Sequence, residues 1–498
     1  MKRILLSVAL VLTCASTSHA AMRLSTNGMG QVLLFPYYTV QGGQSTLVTL
    51  VNTTDRAKVL DVRFNEALNG SMALGARVYL GPHDTWVAAV FASGINGVAN
   101  LITDDRSCVR YVDDQTSGLP NGHVYHRFQA RYSTDGGPTT VNRTREGSLD
   151  VVELAQIERG STLEAALTSA SGQPDCTAAA NHDLMSMMDA PGGGVYGAFA
   201  IVDAAQGTVM AGQPTAVDGF STEPVLFQNG HSEVLDRGDT STDPSEQYTE
   251  ALVPVENRVM SIRYRRPIDA LTALLMTDTL YGDFMKDPSA GADTDWVIAA
   301  PTKRFYAGNL PTGIPGMETA TPPWRYRFSE HGLGYSCMPY DLALHDREQR
   351  TIQVFPELVG TPPPNHRYLY NLCFAVDVLR FNARGNDMLP DEVPSAPSGP
   401  NPVSPALASR ISAPAASIDD AVVKFGVARL SLATGDDPAR LRVGPGTPTL
   451  RGLPVIGFEA TKYVSGAIGG VLANYTYAVP LRGRAACANE AGAEIGCP

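Results

Sequence analysis

Long hydrophobic runs are missing from this 498-residue chain. The apolar stretch near the start, Ile4-Leu5-Leu6-Ser7-Val8-Ala9-Leu10-Val11-Leu12, falls well short of the ~20 residues a transmembrane helix needs. The richest later stretch, 270–275, is short and soon followed by Asp278 and Asp283. A helical membrane span is therefore not expected. Charge is also sparse, at 18% of residues, and what there is leans acidic, with 50 Asp and Glu against 38 Lys and Arg. A net charge of −12 argues against nucleic acid, whose phosphates demand a basic face, and against an anionic membrane surface. Its simplest physical use is to keep the chain soluble.

Catalytic and metal-binding motifs are equally scarce. No two cysteines stand at C-x-x-C spacing, which removes the commonest structural zinc pattern. There is no G-x-S-x-G nucleophile elbow and no H-E-x-x-H helix motif. The acidic pairs Asp104-Asp105, Asp113-Asp114 and Asp419-Asp420 lack the spaced ligands of an EF-hand loop. With 50 acidic residues any glycosidase-like carboxylate spacing can be found, so spacing singles out no pair.

The amino terminus carries a positive signal. Met1-Lys2-Arg3, the apolar run and the ending Ser18-His19-Ala20 are the three parts of a secretory signal peptide, predicted to span 1–20 with cleavage after Ala20. Thr13 stands before Cys14 where a lipoprotein signal places a small residue, which disfavours lipid attachment. Cleavage would remove Lys2 and Arg3, taking the balance from −12 to −14, and would remove Cys14. Six cysteines remain, an even number that suits disulfides in an oxidising compartment. Fifteen connectivities exist on paper. The simplest joins sequence neighbours: Cys108 with Cys176, Cys337 with Cys373 and Cys487 with Cys497.

Abundant glycine and proline, with little helical periodicity, favour many short strands joined by turns. The clearest run is 30–91. Residues 31–40 form a strand candidate bent at Pro36, and 46–51 another. Leu60, Val62 and Phe64 alternate with Asp61, Arg63 and Asn65, the period of a strand with one buried and one wet face. Ala76, Val78 and Leu80 repeat the pattern, and 86–91 closes a meander that must bury its apolar face on a second sheet. Candidates for that sheet are 148–157, 195–202, 296–300, 373–381, 421–430, 453–460 and 470–479. Helices are expected at 162–169 and 182–188, with the best at 267–285, opened by Pro267 and striped by Ile268, Leu271 and Leu275. The predicted class is mainly β: an antiparallel, Ig-like β-sandwich architecture with long loop insertions and one or two short helices. An amino-terminal region over 21–235 and a carboxy-terminal region over 245–498 are expected, with interleaving into one domain as the alternative. Residues 232–246 read as a surface loop or boundary. The proline-rich segment 386–417 reads as a disordered excursion between two strands of one sheet.

Several of these blocks carry a resemblance. The run Gly30-Gln31-Val32-Leu33-Leu34-Phe35-Pro36-Tyr37-Tyr38 with Leu50-Val51-Asn52-Thr53-Thr54 is similar to the start of a family of uncharacterised bacterial cell-surface or periplasmic proteins. Asp295-Trp296-Val297-Ile298 with Pro301-Thr302-Lys303-Arg304-Phe305-Tyr306 is also similar. So are Tyr340-Asp341 through Asp346-Arg347-Glu348, and Leu453-Pro454-Val455-Ile456-Gly457-Phe458 with Gly470 to Tyr475. The resemblance implies export and a β-rich fold and carries no catalytic residue.

The remaining candidates for chemistry each have a plainer reading. Ser336-Cys337 lies near glycine without forming an elbow, and Cys337 is expected in a bridge. His123 and His126 are three apart, which on a strand sends them to opposite faces and argues against a shared metal. His345-Asp346 reads as a solvated turn. Gly192-Gly193-Gly194 lacks the Lys-Ser/Thr of a phosphate loop and reads as a tight turn. Tyr37, Tyr38, Tyr79, Tyr306, Tyr475 and Tyr477 lie in or beside strands, where cross-strand packing is the commoner role and sugar or peptide binding the rarer one. No catalytic, cofactor-binding or metal-binding residue is assigned, and no cofactor. The function expected is that of an exported non-enzymatic cell-envelope or extracellular protein with a structural, adhesive or ligand-binding role. Its partners would be other envelope or extracellular proteins or glycans. The alternatives are a secreted hydrolase with a site assembled from distant loops and, third, an outer-membrane barrel.

Overall fold

Strand Val32–Thr39 is the spine of the amino-terminal half: every one of its eight residues is buried. The structure is a computed structural model. It describes residues 21–93, 97–112, 116–118, 124–130, 140–168, 173–177, 184–225, 233–241, 248–308, 320–328, 336–352, 371–383, 403–418, 423–435, 437–441 and 448–497. The leader 1–20, His123 and residues 384–402 of the proline-rich segment lie outside them.

Val32–Thr39 lies between Thr215–Asp218 and Glu146–Ile157 in a large sheet. Beyond Glu146–Ile157 come Lys58–Glu66, Met72–Leu80 and Cys108–Val112; on the other side come Met22–Leu24, Thr249–Val255 and Arg258–Tyr264. The bend expected at Pro36 is a slip in register. Gly147 pairs with Tyr38 while Leu149 pairs with Phe35, so the proline, with no N–H to give, sits at an irregularity in the ladder. Gly147 itself is a close approach, because a Cβ there would lie 1.9 Å from the Asn65 carbonyl oxygen.

A second, seven-stranded sheet runs in the order Thr208–Gly212, Val195–Asp203, Ser45–Asn52, Thr85–Ala92, Ala99–Ile102, Val124–Arg127 and Thr116–Gly118. The two sheets share one core: Phe35 of the first meets Phe199 of the second edge-on at 6.4 Å. Tyr38, Phe64 and Phe128 cluster at 5.2–5.6 Å between ring centroids. Aromatic contacts of this kind add to the burial that drives the packing.

The carboxy-terminal half builds a further sheet in the order Thr351–Ile352, Asp341–Asp346, Phe425–Ser431, Thr279–Asp287, Ala292–Ala299, Val376–Ala383 and Ser412–Ile418. The long hairpin Ile456–Ile468 and Val471–Pro480 joins it beside Ala292–Ala299. Trp296, Phe284 and Phe381 form its core. The halves are not separate: Phe458 packs on Tyr37 and on Phe199, and the buried cluster runs through both. The mainly β, antiparallel class expected from the sequence is the one adopted, with more strands per sheet than a single immunoglobulin domain carries. No sheet closes on itself among the described residues.

Four expectations need correction. The hairpin Thr249–Val255 and Arg258–Tyr264 lies beyond the expected boundary at 235–245 yet completes the amino-terminal sheet, Met22 pairing in parallel with Ala251. Leu60, Val62 and Phe64 are buried as expected, but Asp61, Arg63 and Asn65 are buried too, because the carboxy-terminal half covers the face that should have been wet. The helix expected over 267–285 ends at Leu275. Asp236 caps it from a distance, accepting the N–H of Ile268 at 3.2 Å. After it, the β-branched Thr277 and Thr279 leave the helix, and Thr279–Asp287 pairs along Phe425–Ser431. Finally, part of the excursion 386–417 is ordered. Ala406, Leu407 and Ile411 are buried, and Ser412–Ile418 runs parallel to Val376–Ala383. Two carboxylates hold this piece. Asp295 accepts the N–H groups of Ala406 and Leu407 at 3.0 and 2.8 Å, and Glu146 accepts Ser409 Oγ at 2.6 Å and Arg410 N–H at 3.0 Å.

Candidate interaction surface

Most of the residues singled out for chemistry that the structure describes are occupied with holding the fold. The three disulfides join Cys108 to Cys176, Cys337 to Cys373 and Cys487 to Cys497, so Cys337 is no nucleophile. Ser336 is buried and its hydroxyl donates to the Tyr326 carbonyl at 2.6 Å. His126 stacks on Tyr111 at 3.4 Å between ring centroids. His345 lies 3.4 Å from the Thr351 hydroxyl, while its neighbour Asp346 accepts the N–H groups of Glu348 and Arg350 and closes the turn. The glycine turn at 192–194 does bind an anion, but it is the protein's own. Gly192 and Gly193 donate to the two oxygens of Glu153 at 3.1 and 2.7 Å, and Lys58 Nζ donates to the same carboxylate at 2.6 Å. Tyr37, Tyr38, Tyr79 and Tyr306 are buried, and only Tyr475 and Tyr477 of the six tyrosines are exposed. Among the described residues no three His, Cys, Asp or Glu side chains are placed to hold a metal.

Sequence reasoning missed the buried ionic groups, one of which joins the halves. Arg304 Nη2 reaches Asp150 at 3.0 Å and Glu233 at 3.2 Å, and Asn65 donates to Asp150 at 2.7 Å. Arg143 grips Glu66 through two bonds of 3.1 Å. Lys303 donates to the carbonyls of Ser336 and Phe374 at 2.7 and 3.0 Å and lies over the Trp324 ring. Burial pushes its amine down and pushes the carboxyl of Asp377 up, each partly offset by the other's charge. Displaced titration often marks active sites. Lys303 and Asp377, however, are closed off from solvent and spend their hydrogen bonds on the backbone. The signal for them was present as charges set among apolar residues in 146–157 and 301–306, but a single strand does not reveal which partner will cover it.

Among the described residues, three surface cavities stand out as open to a ligand. The first, of about 570 Å³, is lined by His83, Asp84, Asp105, Arg106 and Ser107. Its carboxylates cap turns: Asp84 accepts from Gly81 N–H at 3.0 Å and Ser107 Oγ at 3.3 Å, and Asp105 accepts from Ser107 N–H at 2.8 Å. The hydroxyl thus faces a carboxylate and not an imidazole base, which is not a nucleophile–base arrangement. A second, of about 420 Å³, lies beside the entrance of the helix Pro267–Leu275 and includes Asp236. The third, of about 410 Å³, is a seam between the halves of mixed polar and apolar lining.

The outer face of the seven-stranded sheet is the most unusual surface. On Ser45–Asn52 the alternation buries Thr46, Val48, Leu50 and Asn52 and turns Ser45, Leu47, Thr49 and Val51 outward. Thr85–Ala92 turns out Thr85, Val87, Ala89 and Phe91. Val195–Asp203 turns out Tyr196, Ala198, Ala200 and Val202, and Thr208–Gly212 turns out Val209 and Ala211. No charged residue stands among them. Leu47, Val87, Tyr196 and Val209 are 40%, 44%, 39% and 56% exposed. Ile102 and the Tyr125 position continue the surface across the next two strands, and Arg127, at the far corner, is the first charge met. At the other side, Leu472 of the long hairpin reaches Gly207, and Thr476 Oγ donates to the Val209 carbonyl at 2.9 Å. Through these contacts the exposed hairpin tip, Ile468, Val471 and Leu472, adjoins the face. Contiguous uncharged surface of this size marks an interaction site more often than a solvated wall.

No protein-family model, curated protein or solved structure matches the chain.

Proposed function

We propose that this is an exported protein that acts without catalysis at the cell envelope or outside the cell, by docking the outer face of its seven-stranded sheet on a partner surface. The observation that carries the reading is that face: Leu47, Val87, Tyr196 and Val209 stand out among small uncharged neighbours in a chain whose net charge is −12. An extended apolar face on a folded protein calls for a cover. Export is supported by the leader-like residues 1–20 and by three disulfides, which persist in oxidising compartments. The resemblance to exported envelope proteins points the same way. A structural or adhesive role is favoured over hydrolysis because the carboxylates lining the cavity of about 570 Å³ cap turns.

The test is to express the chain with its leader, carrying a photo-crosslinking residue at Thr49, and to irradiate intact cells. Adducts formed from Thr49 but not from a control position at Val259 are the expected result. Absence of any adduct at Thr49, or turnover of ester, peptide or glycoside reporters by the purified protein, would overturn the reading.

A further inference from the structure

We infer that the partner of this face is a second copy of the chain, docked sheet to sheet across a two-fold axis; the inference rests on reading the face as a contact surface. Charge is the first argument. Two copies carry net negative charge and repel at any distance the salt does not screen, and a contact that presents no charge of its own adds nothing to that repulsion. The four-strand face is such a place. Relief is the second argument. Leu47 stands with Ala200 on one neighbouring strand and Ala89 on the other, a projecting side chain between two hollows. Ala200 in turn faces Ala211. A two-fold operation sets each copy's leucine over the other's alanine hollow, the self-complementary relief that an isologous contact requires. Stacked sheets interdigitate in this manner about 10 Å apart.

Size is the third argument. The four uncharged strands hold 5, 9, 8 and 8 residues, which at ~3.3 Å rise and ~4.8 Å spacing cover roughly 480 Å² in plan before corrugation. That is of the order of the ~800 Å² per partner that a stable dimer buries. The chemistry of the face disfavours other occupants. A glycan would need fixed carboxylates, amides or guanidinium groups for its hydroxyls, and the four strands offer none outward. An anionic lipid surface would need Lys or Arg there.

Sedimentation of the purified, disulfide-bonded mature chain tests the proposal. A concentration-dependent dimer with a dissociation constant in the micromolar range or below is expected, as interfaces of this size give. Leu47→Glu or Val87→Glu places like charges across the axis and should raise that constant at least ~100-fold. Val259→Glu, on the remote edge of the other sheet, should leave it unchanged. Mixing L47E with L47K should restore association as a heterodimer. Circular dichroism confirms folding, and Leu47→Ser, neutral and polar, serves if the charged variants misfold. A wild type that stays monomeric to about 100 µM, well above the association range expected for such an area, would overturn the second-copy assignment. So would L47E and V87E that dimerise undiminished. The crosslink at Thr49 separates this failure from that of the parent reading. An adduct of twice the chain mass supports a second copy. An adduct to a different protein keeps the contact surface and rejects the second copy, and no adduct rejects both.

Discussion

Lys58 and Glu153 offer the sharpest test of how the amino-terminal sheet is held. Both side chains are 0% exposed, 2.6 Å apart, and the carboxylate also takes the N–H groups of Gly192 and Gly193. Lys58→Met removes the cation and keeps the stem, leaving a buried carboxylate with two backbone donors. Breaking a buried pair by deleting one partner costs about 3–5 kcal/mol. The two remaining donors place the expected loss near the low end, about 3 kcal/mol at pH 7. Glu153→Gln keeps an acceptor for the glycines but strands the ammonium, and should cost at least as much. The double variant K58M/E153Q strands no charge and keeps an acceptor for the glycine N–H groups, but buries amide donors that lack partners, at about 1–3 kcal/mol. The double variant should therefore lose less than the two single losses combined, which a double-mutant cycle by denaturant unfolding or calorimetry reads directly. A pH signature accompanies it. Burial already pushes the Glu153 carboxyl up, and Lys58 holds it down. Without the lysine, the folded state takes a proton at higher pH than the unfolded chain. The K58M deficit should then shrink as pH falls, by at most ~1.4 kcal/mol per pH unit. A K58M protein within ~1 kcal/mol of wild type, or a deficit flat from pH 5 to 8, would mean water reaches the pair and would refute the reasoning.

Other consequences are as direct. Burial pushes the Asp295 carboxyl up to about 6 despite its bonds to Ser404, Leu407 and Ala406. The folded state therefore holds a proton that the unfolded chain has released between pH ~4 and ~6, so this group makes stability fall as pH rises through that window. Asp295→Asn should remove up to ~1.4 kcal/mol per pH unit of that slope, measured as unfolding midpoint against pH. Replacing Cys108 and Cys176 with Ser opens a loop of 68 residues, for which chain entropy gives about 4 kcal/mol. Urea titration reads that loss, and non-reducing peptide mapping should recover the three neighbouring pairings. Gly147→Ala would press a Cβ to 1.9 Å from the Asn65 carbonyl oxygen, and because the obstacle is backbone the strands must part. A loss above ~2 kcal/mol, with amide exchange accelerated along Val32–Thr39, is expected.

Much of the fold was legible. The strand candidates at 31–40, 46–51, 148–157 and 195–202 all lie where strands form, because each joins β-branched or aromatic residues to a turn signal. The disulfide pairing followed from sequence proximity. What failed did so for want of long-range information. The helix expected to reach 285 stops at Leu275 because a strand 150 residues later, Phe425–Ser431, claims the next segment. The excursion was read as disordered from its prolines, yet Ala406, Leu407 and Ile411 find a buried seat because Asp295 and Glu146, far off in sequence, accept the backbone and side-chain donors of that segment. No local pattern carries that information. The candidate surface was hidden for the opposite reason. Its strands carry no charge on the outward face, so nothing in them marks that face as the wet one, the reverse of Lys58–Glu66, where charge stands on a buried face.

That inversion follows from one physical rule applied on two sides of the same molecule. In Lys58–Glu66 the alternate positions carry charge, and the pattern invites the conclusion that they meet water. They are buried because the carboxy-terminal half brings Arg304 to Asp150, and because Glu233 lies beside Arg63 and Arg304. A buried charge is tolerated when an opposite charge and hydrogen bonds replace its hydration, so charged residues mark the wet face only if no partner arrives. In Ser45–Asn52 the outward positions are Ser, Leu, Thr and Val, with nothing that needs water, and the folded monomer leaves them uncovered. The charged face is closed within one chain because its partners are specific and must be positioned accurately. The neutral face carries no such demand and is the part of the sheet that a separate molecule can cover. If Arg304→Ala, which unpairs Asp150, lowered the stability of the fold without altering association, while L47E altered association without lowering stability, the two faces would be shown to serve these different ends.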